Sequence, residues 1–88
     1  MRYFPQIKRV VYLPAAAKAL RKYRNIAAHI MEKVDAYAAD PAPLANNIKA
    51  LKGSRAVRLR IGDFRVIFEE TDEEIIVTRI GPRGSIYD

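Results

Sequence analysis

The chain reads as an α+β domain of order β-α-α-β-β-β, an N-terminal helical hairpin over one face of a small, mainly antiparallel sheet. Three observations predict it. Two stretches between residues 14 and 38 carry apolar side chains at helical spacing. Two alternating runs flank Gly62-Asp63, which is hairpin chemistry. Residues 75–80 form a further β-branched run after a polar turn. With 88 residues, positions 1–88 are expected to form a single domain with one core.

Ile7 to Leu13, apolar and β-branched around the pair Lys8-Arg9, predicts the first strand. Pro14 suits the first turn of a helix, where its missing N–H costs nothing. Ala16, Leu20 and Tyr23 follow at helical spacing, with Lys18, Arg21 and Lys22 turned away. Asn25 is the expected N-cap of a second helix. There Ile26, Ile30, Val34 and Tyr37 make one stripe, widened by Ala27, Met31 and Ala38. Asp40-Pro41-Ala42-Pro43 stops it. The short link between the helices predicts an antiparallel pair. Leu44 to Leu51 reads as a connector with one helical turn.

In the hairpin, glycine takes the position that needs positive φ. Ile61 then pairs with Phe64, Leu59 with Val66, and Val57 with Phe68, an apolar face for the helices to cover. The same register sets Arg60 opposite Arg65 and Arg58 opposite Ile67. Like charges facing each other across strands destabilise a hairpin, which argues for an anion that draws them together. The plainer reading is a solvated face whose arginine stems cover sheet surface. Asp63, in the turn, is the only carboxylate between residues 49 and 68, and that favours the anion. Thr71-Asp72-Glu73-Glu74 is a turn by composition. Parity leaves open which face of the strand after it meets the helices. Gly81-Pro82-Arg83-Gly84-Ser85 breaks the pattern before Ile86-Tyr87-Asp88.

The charge is +6, and its distribution is uneven. No acid precedes Glu32, a second basic block runs from Lys49 to Arg65, and five acids gather in residues 69–74. Such a field attracts polyanions. The absence of cysteine excludes disulfides, thiolate metal sites and a thiol nucleophile. No apolar run is long enough to span a bilayer, and Arg2, Lys8 and Arg9 interrupt any secretory signal, so a cytoplasmic protein without membrane contact is expected. His29, the only histidine, has no sequence neighbours that would make it a ligand or catalyst and reads as structural or surface. No metal or cofactor is expected. Isolated Gly62 and Gly84 make no phosphate-cradling loop.

For chemistry on RNA, Arg58, Arg60, Arg65 and Arg83 offer guanidinium forks for phosphate, while Lys52 and Arg55 extend the basic block as RNA contacts. Lys52 would act as a base only if desolvated. Tyr87 reads equally as a stacking platform or proton donor and as a terminal aromatic packed on the sheet edge.

Leu51-Lys52-Gly53, the block from Val57 to Phe68 and Arg79-Ile80-Gly81-Pro82-Arg83-Gly84-Ser85-Ile86-Tyr87 together resemble the RelE/ParE superfamily of bacterial toxins, over essentially the whole chain. The resemblance implies a toxin neutralised by a cognate antitoxin, expected here to be acidic and partly disordered. In the RelE-like branch, the one favoured here, such toxins enter the ribosomal A site and cut mRNA without metal, the 2′-hydroxyl attacking the adjacent phosphate. Carried over by position, that activity falls to Arg58, Arg65, Arg83 and Tyr87; Arg60 joins them on the cross-strand argument alone. In the ParE-like branch the target is DNA gyrase and no RNA is cut. A non-catalytic RNA- or protein-binding module is the remaining alternative. RelE-like members often carry lysines where Ala56 and Arg58 stand, and this tail has Pro82 and Gly84 where polar or basic residues are common.

Overall fold

The computed structural model describes residues 7–85. Its elements run β1 (Arg9–Tyr12), α1 (Pro14–Lys22), α2 (Arg24–Ala39), a 3-10 turn (Ala42–Asn47), β2 (Ile48–Ala50), β3 (Ala56–Ile61), β4 (Phe64–Glu70) and β5 (Glu74–Pro82). The expected α+β order holds, with one strand added. Residues 44–51 are not merely a connector: Ile48–Ala50 pairs with β3 as the sheet's edge. The sheet order is β1-β5-β4-β3-β2, with β1 parallel to β5 and every other pair antiparallel.

Pro14 opens α1, as its ring geometry favours. Tyr23 alone separates the two helices. The second begins at Arg24, so Asn25 lies inside it, and no side chain caps its N-terminus. Here the polar cap expected at Asn25 is replaced by continuity: Ile26 N–H donates to the carbonyl of Tyr23. Ile30, Val34, Tyr37 and Ala38 are buried and Ile26 packs beside them, whereas Met31 is 40% exposed and does not widen the stripe.

Alternate residues of the strands meet that stripe. Leu59, Ile61, Val66, Phe68, Ile75, Val77 and Ile80 form one core with Ala16, Ile30, Val34, Tyr37 and Ala38. The Phe68 and Tyr37 rings lie 5.1 Å apart at a tilt, and Tyr23 meets Phe64 edge-on at 5.0 Å. Burying the Phe68 ring stabilises by about 2–3 kcal/mol, before any cavity term. Tyr37 donates to Glu70 at 3.0 Å, and the Lys8 ammonium meets the other carboxylate oxygen at 2.6 Å. Burial, then the hydrogen bond to Glu70 and its charge, push the Tyr37 phenol up to about 12. Tyr12 is likewise pushed to about 12, first by burial and then by Asp35.

The hairpin register is the expected one: Ile61 with Phe64, Leu59 with Val66, Val57 with Phe68, Arg60 with Arg65, Arg58 with Ile67. Gly62 has φ +58°, and among the described residues no non-glycine residue, Asp63 included, has positive φ. A glycine with positive φ at the first central position is the pattern of a II′ turn, whose twist suits the strands. On β5 the register slips by one between Ile67 and Phe68: Ile67 faces Arg79 but Phe68 faces Val77. Thr78 is the odd residue, and its hydroxyl donates to the Ile67 carbonyl at 3.2 Å. This bulge settles the parity that the sequence left open, with Ile75, Val77 and Ile80 inward. The strand also continues through Gly81 and Pro82, which pair with Arg65 and Phe64, so the expected break begins only at Arg83.

Candidate functional site

The outer face of the sheet presents the residues that alternate with the core set. From the β2 edge inward, Lys49, Arg58, Ile67 and Arg79 stand side by side in one row. The next row toward the turn is Arg60, Arg65 and Gly81. Arg83 closes the set, because its backbone N–H donates to the Asp63 carbonyl at 2.6 Å and so fastens the end of β5 to the hairpin turn. At the opposite end of the face the charge is balanced: Arg9 meets Glu74 at 2.6 Å, and Glu69 stands opposite Ala56.

Arg65 is the centre of the cationic end. Half-buried, it donates through Nη1 to the carbonyls of Gly62 and Phe64, each at 3.1 Å. Those two bonds fix one edge of the guanidinium fork against the turn. Burial, then the positive charges of Arg58, Arg83 and Arg60, push it below the usual arginine range, with Asp63 pulling the other way. The side chain still stays protonated at neutral pH, as arginine does in proteins. Among the described residues the ion pairs are Lys8–Glu70 and Arg9–Glu74, so no described carboxylate pairs with Arg60, Arg65 or Arg83. Ile67 is buried on this face, flanked in its row by Arg58 and Arg79. Stem coverage of sheet surface, the plainer reading, therefore operates here too. It does not explain why Arg60, Arg65 and Arg83 lie together with no described carboxylate paired to them.

The structure thus brings together Arg58, Arg60, Arg65 and Arg83. Lys52 and Arg55 lie elsewhere, exposed in the connection between β2 and β3. Tyr87 lies outside the described residues. Sequence reasoning missed Lys49 and Arg79. Finding Lys49 needed the three-residue strand β2; finding Arg79 needed the bulge at Thr78, and neither has a sequence signal of its own. Lys49 is directly opposite Arg58 and supplies an amine beside the guanidiniums. The acids of residues 69–74 close the β4–β5 turn and meet Lys8 and Arg9, as a structural role requires. His29 is exposed on α2, in agreement with a surface position.

Such an array can hold a phosphodiester and neutralise charge that develops on it. Planar forks accept two phosphate oxygens at once, and the positions are set by strands rather than loops. Two helices over one face of a mainly antiparallel sheet is the fold of the RelE/ParE superfamily of toxins, to which the comparisons assign this chain. Residues 10–87 match the family of the ParE toxin of type II toxin–antitoxin systems, parDE, and the chain belongs to that family. It is similar to a chain of the archaeal RelE–RelB complex from Pyrococcus horikoshii, with 26% identity over 92% of this chain and 100% of that one, TM-score 0.74. It is also similar to a chain of the toxin–antitoxin complex RelBE2 from Mycobacterium tuberculosis, with 19% identity over 96% and 100%, TM-score 0.76, a likeness of fold alone. Comparison with curated proteins gives no match.

Proposed function

We propose that this toxin is a ribosome-dependent mRNA endonuclease, acting in the cytoplasm and held inactive by an acidic, partly disordered antitoxin. The observation that carries this reading is the placement of Arg60 directly opposite a half-buried Arg65, with Arg58 in the neighbouring row and Arg83 fastened to the same turn. An array built for antitoxin alone would not need four cations on one half-buried point, where their mutual repulsion costs stability. A reaction centre gains from it, since the phosphate carries most negative charge in the transition state.

In the proposed step the 2′-oxygen bonds to phosphorus as the P–O5′ bond breaks, giving a 2′,3′-cyclic phosphate and a 5′-hydroxyl. One proton leaves the 2′-oxygen and one reaches the 5′-oxygen, both exchanged with water. Arg65, oriented by the turn carbonyls, and Arg83, anchored at Asp63, bind the non-bridging oxygens; Arg58 and Arg60 hold the flanking backbone. The ribosome supplies alignment of the attacking oxygen, which is where much of the acceleration of such a reaction resides. Similarity to a chain solved in a RelE–RelB complex supports both the branch and the antitoxin.

The family match supports a second reading, inhibition of DNA gyrase with no RNA cut. Primer extension on mRNA from a translating extract separates the two. New 5′ ends that need both translation and this protein are expected, and Arg65→Ala or Arg83→Ala should lose roughly 10²–10³-fold in cleavage, the scale of one lost transition-state donor. Both variants should still fold. Intact mRNA with inhibited supercoiling would establish the gyrase reading instead.

A further inference from the structure

Two depressions lie on either side of Asn47. One, of about 170 Å³, is bounded by His29 and Lys33 of α2, Asn47 and the Arg60–Gly62 end of β3. The other, of about 280 Å³, is bounded by Asn46, Lys49, Arg58 and again Asn47 and Arg60. Each alone is smaller than an ordinary ligand pocket. They share Asn47 and Arg60 and so adjoin; taken together as one channel they would run from the arginine face, round the end of the β2–β3 pair, onto the helix layer.

Among the described residues the charged lining has one sign: no described acid lines either half, and the cations are Arg58 and Lys49, then Arg60, then Lys33. Glu32, beside Lys33 in the chain, is exposed and lines neither half. His29 and Lys33 are four residues apart on α2 and therefore share a face, one turn from each other. Between the cations stand an imidazole and two amides. The Asn47 amide donates to the Arg60 carbonyl at 3.2 Å, which ties the 3-10 turn to β3 and holds the channel's waist. Successive cations suit a chain of phosphates, while amides and a planar ring suit unstacked bases.

We infer that this channel is a single-stranded RNA track: it carries the message away from the arginine face, with Lys33 on a phosphate and His29 on a base. The inference rests on the mRNA-cleavage reading, and it assigns His29 and Lys33 a binding role that neither residue shows on the sheet face. Arg60 then serves both parts, at the border between them.

The test uses a fluorescent 2′-O-methyl RNA on the order of ten nucleotides long, which cannot be cleaved. Anisotropy gives its affinity for the isolated toxin across a salt series. A phosphate contact on a single strand adds about 0.7 to the salt slope, so Lys33→Ala should cost about fivefold at ~0.1 M salt and lower the slope by that amount. Lys18→Ala, which removes an equal charge from α1, should leave the slope unchanged. His29→Ala should also weaken binding. Equal losses for Lys33→Ala and Lys18→Ala, or an unchanged affinity for His29→Ala, would overturn the track. So would a glutamate-rich peptide of matched charge that binds with the same dependence on Lys33 and His29, since the channel would then dock protein. Because the probe is uncleavable, these outcomes are independent of the primer-extension result, and the two readings can fail separately.

Discussion

The two faces of one sheet are made from alternate residues of the same strands, and they obey opposite rules. On β3 and β4 the inward set is Val57, Leu59, Ile61, Phe64, Val66 and Phe68, all in or against the core. The outward set at the same end includes Arg58, Arg60 and Arg65, where like charges stand together. The inward face lowers the free energy of the fold; the outward face raises it. A strand that carries both shows that stability and charge placement can be set independently, one residue at a time, because neighbouring side chains never share a side.

Substitutions sharpen that contrast. The largest effect belongs to the inner face: Phe68→Ala should cost about 3–5 kcal/mol, read as a lowered urea midpoint with an unchanged slope. If the cost were under ~1 kcal/mol, the ring would not be the packed centre that its burial and its contact with Tyr37 indicate. A smaller effect concerns pH. Burial, then the hydrogen bond to Glu70 and its charge, push the Tyr37 phenol from its ordinary 10.0 up to about 12 in the folded chain. The unfolded chain therefore releases that proton first, so its contribution is complete below pH 10 and fades as pH rises toward 12. Tyr37→Phe should lose less stability between pH 9 and pH 11.5 than the native chain does. Equal losses would show that the phenol titrates normally.

The smallest effect has the opposite sign. Arg60→Gln should raise stability by roughly 0.2–1 kcal/mol, by removing one member of the facing arginine pair. Added salt should stabilise the native protein more than this variant, because screening acts on the repulsion that the variant lacks. A variant less stable than the native chain would mean that the Arg60 stem contributes more through packing than its head costs.

The hairpin was legible in the sequence because every cue agreed there. Gly62 marks the turn, and strict alternation on both sides leaves one register, so the Arg60–Arg65 pairing followed directly. The family resemblance was legible for the same reason, since its most specific residues lie in that hairpin. What was not legible depends on departures from periodicity. Ile48–Ala50 is too short to show alternation, so Lys49 went unplaced. The bulge at Thr78 is decided by how β5 must sit against β4, so Arg79 and the inward faces of β5 could not be assigned from the chain alone. Asn25 has the right chemistry for a cap, but tight joining through Tyr23 starts the helix one residue earlier. His29 has one acid, Glu32, within a helical turn and no cysteine; the depression it lines instead brings Asn47 from the end of the 3-10 turn and Arg60 from β3.

The odd residue at Thr78 acts as a phase shifter for everything beyond it. With it, Ile80 arrives inside and Arg79 arrives among the cations. Straightening the bulge while keeping Thr78 would exchange the two in one step, forcing a guanidinium into the core and an isoleucine among the cations, whereas deleting Thr78 would leave plain alternation with both on the sides they now occupy. The bulge, rather than the side chain at Thr78, therefore sets which face the C-terminal end of β5 presents.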